Sequence, residues 1–177
     1  MKFLVDAMFK NLARWLRMLG HDATWSEDYA DPATPGVAVP DSTLMEKAAE
    51  EGRLLITRDK ELARRCEAAK VAFVHLTSDR VEVALSELAR RLGLRLHFDP
   101  ESARCPLCNH ELADVPEDED LDGQVPPGAL KRAARFWRCT NEKCLHLFWE
   151  GTHVEEILAT LERIKGGVGS AEQESAL

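Results

Sequence analysis

The chain has 177 residues, 45% of them hydrophobic, with 23 Lys and Arg against 31 Asp and Glu and a formal net charge of −8. That length holds one domain of about 100 residues with its own core and a smaller one that needs a staple, and the acidity excludes a broadly basic, nonspecific nucleic-acid binder. No secretory signal is legible, since Phe3-Leu4-Val5 meets Asp6 at once, and no segment approaches the roughly 18 apolar residues of a membrane span, so a cytosolic protein is expected.

In chain order, Phe3-Leu4-Val5 reads as a short strand ended by Asp6, and Phe9, Leu12, Ala13, Leu16 and Leu19 follow at helix spacing up to Gly20. Ala23-Thr24-Trp25 reads as a weak second strand before a Pro-rich loop from Asp31 to Pro40. A helix is expected to start near Asp41 or Ser42, with Thr43 and Glu46 at capping-box spacing, and to stop at Gly52. The strand Arg53 to Thr57, a helix through Cys66, the strand Val71 to Leu76 and a helix from Val81 to Leu92 complete the pattern. Strands alternating with helices imply an α/β fold, a mainly parallel sheet with helices on both faces.

In such sheets ligands lie beyond the carboxyl ends of the strands, and here those ends carry acids. Asp6 ends the first strand, Asp59 follows the third and Asp79 the fourth, while Asp41, at the start of a helix leading into the third strand, can reach the same edge. Carboxylates converging on one point repel each other unless a hard cation such as Mg²⁺ or Mn²⁺ neutralises them. Asp41 and Asp79 read equally well as helix caps, whereas Asp6 and Asp59 point more strongly to chemistry. At 100° per residue, Lys10, Arg14 and Arg17 fall within a sector of roughly 60° on the first helix, a layout that suits a polyanion and equally a solvated face. Phe9, Trp15 and Met18 read as core.

Cys105-Pro-Leu-Cys108 and Cys139-Thr-Asn-Glu-Lys-Cys144 form two thiolate pairs suited to a tetrahedral zinc ion, although the second has four intervening residues. Disulfides are the alternative, disfavoured in a reducing cytosol, and Cys66 reads as an ordinary buried thiol. The acidity belongs to this half: residues 1–104 carry 16 Lys and Arg against 17 Asp and Glu, and residues 105–177 carry 7 against 14. Residues 166–177 have a Gly/Ser/Glu composition that suggests a disordered tail.

The blocks Phe3-Leu4-Val5-Asp6 with Leu12 to Gly20, Leu55-Ile56-Thr57-Arg58-Asp59, Cys105-Pro-Leu-Cys108, Phe136 to Cys139 and Phe148 to His153 resemble, in order and wording, the PIN-like ribonuclease domain with C-terminal zinc ribbon named for the mutator-seven exonuclease. The resemblance implies a PIN-like nuclease domain over residues 1–98 and a zinc ribbon with a C-terminal helix over 99–165. It implies a metal-dependent endoribonuclease acting on RNA, with Asp6, Asp41, Asp59 and Asp79 at the superfamily's acidic positions, Mg²⁺ or Mn²⁺ bound at Asp6 and Asp59, and structural zinc on Cys105, Cys108, Cys139 and Cys144. Thr57 is expected to orient an acid or a metal-bound water, and Arg58, like Lys10, Arg14 and Arg17, to contact phosphate. Two other classes stay open: a non-catalytic RNA-binding zinc-ribbon module, which needs only the basic helix and ribbon, and an adaptor, which needs neither. Glu150 and His153 read as a structural tie at the turn into the last helix, with substrate or metal binding as the alternative.

Overall fold

Alternate residues of the short apolar runs face opposite sides of one sheet, and both sides are buried, which is why the strands read as continuous hydrophobic stretches. In the computed structural model, which describes residues 1–174 and side-chain surroundings through residue 166, β1 (Lys2–Val5), β2 (Asp22–Trp25), β3 (Leu54–Thr57) and β4 (Phe73–His75) form a parallel sheet in the order β2-β1-β3-β4. Phe3, Val5, Ile56 and Val74 pack on one face against α1 (Lys10–Met18) and α4 (Val81–Leu92). Leu4 and Leu55 pack on the other against α2 (Asp41–Glu51) and α3 (Lys60–Ala69), where Cys66 is fully buried and its thiol is pushed up by that burial.

Helix starts depart from expectation. A 3-10 turn at Ala7–Phe9 precedes α1, and Asp6 caps it by accepting from the Ala7 amide at 2.6 Å. Asp59 caps α3, its Oδ1 accepting from Glu61 and Leu62 at 2.6 and 3.1 Å. The capping box at Thr43 and Glu46 does not form: α2 begins at Asp41 behind Pro40, with no side-chain cap. The N-cap of α4 is Arg80, so Asp79 is not a cap either.

After α4 the chain builds a second, antiparallel sheet of β5 (Leu112–Asp114), β6 (Phe136–Cys139) and β7 (Leu147–Trp149), with the short α5 (Pro127–Arg132) between β5 and β6. It then returns as α6 (Thr152–Glu174), which packs on α4 and places Leu161 and Ile164 in the core of the parallel sheet. The last helix therefore completes the sheet domain rather than the ribbon, and the ribbon stands as an insertion before it. Residues 166–174, read from composition as a tail, continue α6, and 175–177 lie outside the described residues.

Candidate active site and metal centre

The parallel pairing of β1 with β3 sets Val5 opposite Ile56, so the residues that follow, Asp6 and Thr57, emerge side by side. The Asp6 amide continues the pairing to the Ile56 carbonyl at 3.0 Å. Thr57 is wholly buried; its hydroxyl donates to Asp6 Oδ2 at 2.7 Å and accepts from the Asp59 amide at 2.9 Å. One hydroxyl thus orients the Asp6 carboxylate and the Asp59 backbone together. Asp59 Oδ2 accepts no hydrogen bond among the described residues, and carboxylate oxygens are donors of the hard type that divalent cations take.

Asp41 and Asp79 take other partners. Asp41 pairs with Arg65 of α3 at 2.9 Å and Asp79 with Arg58 at 3.3 Å, both largely exposed. Among the described residues, no three of the four acids meet as one ligand set: Thr57 links the Asp6 carboxylate to the Asp59 backbone, while Asp41 and Asp79 stay with arginines.

The expected basic row divides. Lys10 lies over the Trp25 ring at 4.8 Å, and the Trp25 indole donates to the Ala7 carbonyl at 3.0 Å, which keeps both beside Asp6. Arg14 is exposed, and its side chain has no hydrogen bond or ion pair among the described residues. Arg17 does not belong to the row: it is 4% exposed, donating to Ala23 O at 2.7 Å, Asp28 Oδ2 at 2.9 Å, and the Pro106 and Leu107 carbonyls at 3.1 and 3.2 Å. Burial lowers its guanidinium while Asp28 opposes the shift, and four of its five N–H donors are already taken within the fold. The periodicity places Arg17 beside Arg14 correctly, but the first cysteine turn covers it. Sequence reasoning missed Trp25 and Arg80; the position of Trp25 at the end of β2 was the available signal.

The four cysteine sulfurs all lie within 4.8 Å of one another, with Cys108–Cys139 at 3.3 Å and Cys105–Cys144 at 3.9 Å. A tetrahedral zinc with bonds of about 2.3 Å needs sulfurs about 3.8 Å apart, so the quartet fits zinc. Burial pushes the Cys105 thiol up to about 11 and raises Cys139 too; at Cys108 burial also opposes ionisation, but the His110 amide and neighbouring thiols outweigh it and bring it down to about 6. In the first turn Asn109 adopts positive φ and its amide bonds to the Cys105 carbonyl at 2.9 Å. In the longer second turn, Asn141 accepts the Cys144 amide at 2.8 Å and Leu145 takes the positive φ, which brings Cys144 to the same point. His110 and His146 are outside the quartet.

Asn109 also ties this centre to the parallel sheet, accepting from the Ala23 amide at 3.1 Å and donating to Asp22 at 2.6 Å. In the block after β7, the Trp149 ring lies so close to Gly151 that an added Cβ would stand 3.3 Å from it, while His153 is exposed beside Glu156 at 3.5 Å. Among the described residues no helix is long and apolar enough to cross a membrane. No curated protein and no solved structure matches the chain. The family model of the Mut7-C RNAse domain matches residues 1–161, from β1 into α6, and the chain belongs to that family.

Proposed function

We propose that this protein is a divalent-metal-dependent endoribonuclease of the cytosol that cuts RNA phosphodiesters at the carboxyl ends of β1 and β3, with zinc held structurally by the four cysteines. The observation that carries the reading is the Thr57 hydroxyl, which donates to the Asp6 carboxylate and accepts the Asp59 amide just beyond the ends of two adjacent strands. Mg²⁺ or Mn²⁺ bound there supplies activation of water and neutralisation of phosphate charge. Asp6 and Asp59 would hold the cation, and Thr57 keeps the Asp6 carboxylate in one orientation. Arg58 and Arg65, ion-paired with Asp79 and Asp41, would turn to phosphate oxygens of a bound RNA, and those two acids would then be available to the cation. Lys10 and Arg14 contact the backbone of the RNA.

A second reading, RNA binding without cleavage, is favoured by one observation: Asp41 and Asp79 sit in ion pairs rather than beside Asp6. Cleavage of single-stranded and folded RNA with Mn²⁺ or Mg²⁺ decides between them. Asp6→Asn and Asp59→Asn keep shape but remove charge, and each is expected to lower cleavage by several orders of magnitude while RNA binding survives. Activity unchanged in both variants would identify a contaminant and leave the binding module.

A further inference from the structure

Trp25 closes β2 opposite Val5, so it stands one row before Asp6, on the strand that flanks β1 away from Thr57. Its indole Nε1 donates to the Ala7 carbonyl at 3.0 Å, and the amide of the same Ala7 donates to Asp6 Oδ1 at 2.6 Å. Ala7 is therefore held by Trp25 on one side while it holds Asp6 on the other. With Thr57 on Oδ2, both oxygens of the Asp6 carboxylate are fixed by hydrogen bonds, and each keeps a lone pair for a cation. Ala7 to Phe9 make a single 3-10 turn, a conformation whose own hydrogen bonds are poorly aligned and which gains from an outside tie.

The backbone of Trp25 is fixed from the opposite direction. Its amide donates to Asp28 Oδ2 at 2.8 Å, the same oxygen that accepts from Arg17 at 2.9 Å. Arg17 in turn donates to the Pro106 and Leu107 carbonyls, which lie between Cys105 and Cys108. The cysteine turn, Arg17, Asp28, Trp25, Ala7 and Asp6 thus form one hydrogen-bonded chain, anchored at the buried guanidinium. The Trp25 ring packs against the core of the parallel sheet and lies under Lys10, which suits a fixed support better than a platform for a base.

We propose that Trp25 is a positioning residue for Asp6, acting through Ala7, and that it makes the cation affinity of the acid pair depend on how the cysteine turn is seated; the cation half of this rests on the nuclease reading. Without the indole N–H, the turn over Ala7 keeps only its own short bonds, and the amide that orients Asp6 Oδ1 moves with it. A carboxylate that must be ordered before it takes a cation binds that cation more weakly, by the cost of the ordering. Trp25 itself touches neither cation nor RNA in this role.

The test uses the whole zinc-loaded chain and Trp25→Phe, which keeps a ring on the core and under Lys10 but removes the N–H. In NMR spectra without Mg²⁺ or Mn²⁺, the Ala7 amide should shift and exchange with water roughly fivefold faster in Trp25→Phe, the scale of one net hydrogen bond. Mn²⁺ affinity, read by electron paramagnetic resonance of the free ion, should fall by about the same factor, while RNA affinity without metal stays as in the parent. Asp28→Ala, which cuts the chain between Arg17 and Trp25, should weaken Mn²⁺ binding too, and the double variant should lose less than the product of the two single losses. An Ala7 amide as well protected in Trp25→Phe as in the parent would overturn the positioning role, and so would a loss of RNA affinity, which would make Trp25 an RNA contact. Losses that multiply in the double variant would overturn the dependence on the cysteine turn. If the parent binds no Mn²⁺ that Asp6→Asn abolishes, the nuclease reading and the cation half fail together, and the Ala7 amide alone decides the positioning role.

Discussion

Thr57 donates to Asp6 at 2.7 Å across two adjacent parallel strands and, through the same oxygen, accepts the amide of Asp59. A buried hydroxyl placed between two acids acts on both at once. Thr57→Val keeps the volume but strands a carboxylate oxygen and an amide, a loss of about 1–3 kcal/mol. We expect cleavage to fall at least tenfold in Thr57→Val and to recover in Thr57→Ser; equal rates in both would remove Thr57 from the site.

The acids separate by role. Asp59 is a cap and Asn caps as well as Asp, so Asp59→Asn should leave the melting temperature nearly unchanged, whereas Asp59→Ala should cost about 1 kcal/mol. Asp41 and Asp79 cap nothing and hold exposed ion pairs, so their Asn variants should change stability by less than about 1 kcal/mol. Any large loss of cleavage in those two variants then reports a place in the ligand set.

Arg17 is a structural rivet between α1, β2 and the first cysteine turn. Arg17→Met removes the ion pair to the part-exposed Asp28 and leaves the Ala23, Pro106 and Leu107 carbonyls short of a donor, at about 1–3 kcal/mol. At about 2–4 °C per kcal/mol, the melting temperature should drop by roughly 5 °C. Arg14→Glu should melt like the parent protein yet bind RNA more weakly with a flatter salt dependence; equal salt slopes would make Arg14 dispensable.

Purified protein should hold about one zinc per chain. Removing it, or replacing Cys139 with Ser, should loosen β2 as well as the ribbon, because Asn109 of the first turn holds both the Ala23 amide and Asp22. Hydrogen exchange provides the measurement. Fast exchange confined to residues of the ribbon, with the Ala23 amide still protected, would show that the two units melt independently.

His21 gives a pH signature. Burial pushes its imidazolium down to about 4, and its Nε2 is buried without a partner among the described residues. The unfolded chain takes up this proton near pH 6.5 while the folded protein stays neutral, so stability should decline as pH falls from about 6.5 to 4. Urea midpoints across that window should show a shallower decline for His21→Phe, which retains the ring packed on Phe3. The same decline in both proteins would assign it to other groups.

The order of elements was legible because each rests on a local pattern. Alternating short apolar runs announce a sheet buried on both faces, Gly52 and Gly93 end α2 and α4 in the left-handed conformation they permit, and the paired cysteines announce a tetrahedral centre whatever the loop between them. Asp6 and Asp59 were legible as strand-end acids for the same reason. What the local pattern does not contain is the partner of each side chain. Helical spacing sets Arg17 beside Arg14, but only packing of the Pro106 turn onto α1 takes Arg17 from solvent and leaves Arg14 there. Likewise Asp41 and Asp79 have cap-like positions in sequence, yet Pro40 and Arg80 take the caps and the acids meet Arg65 and Arg58 across the fold. The return of α6 to the parallel sheet rests on Leu161 and Ile164 finding apolar surface on α4, a contact between segments far apart in the chain that no periodicity encodes.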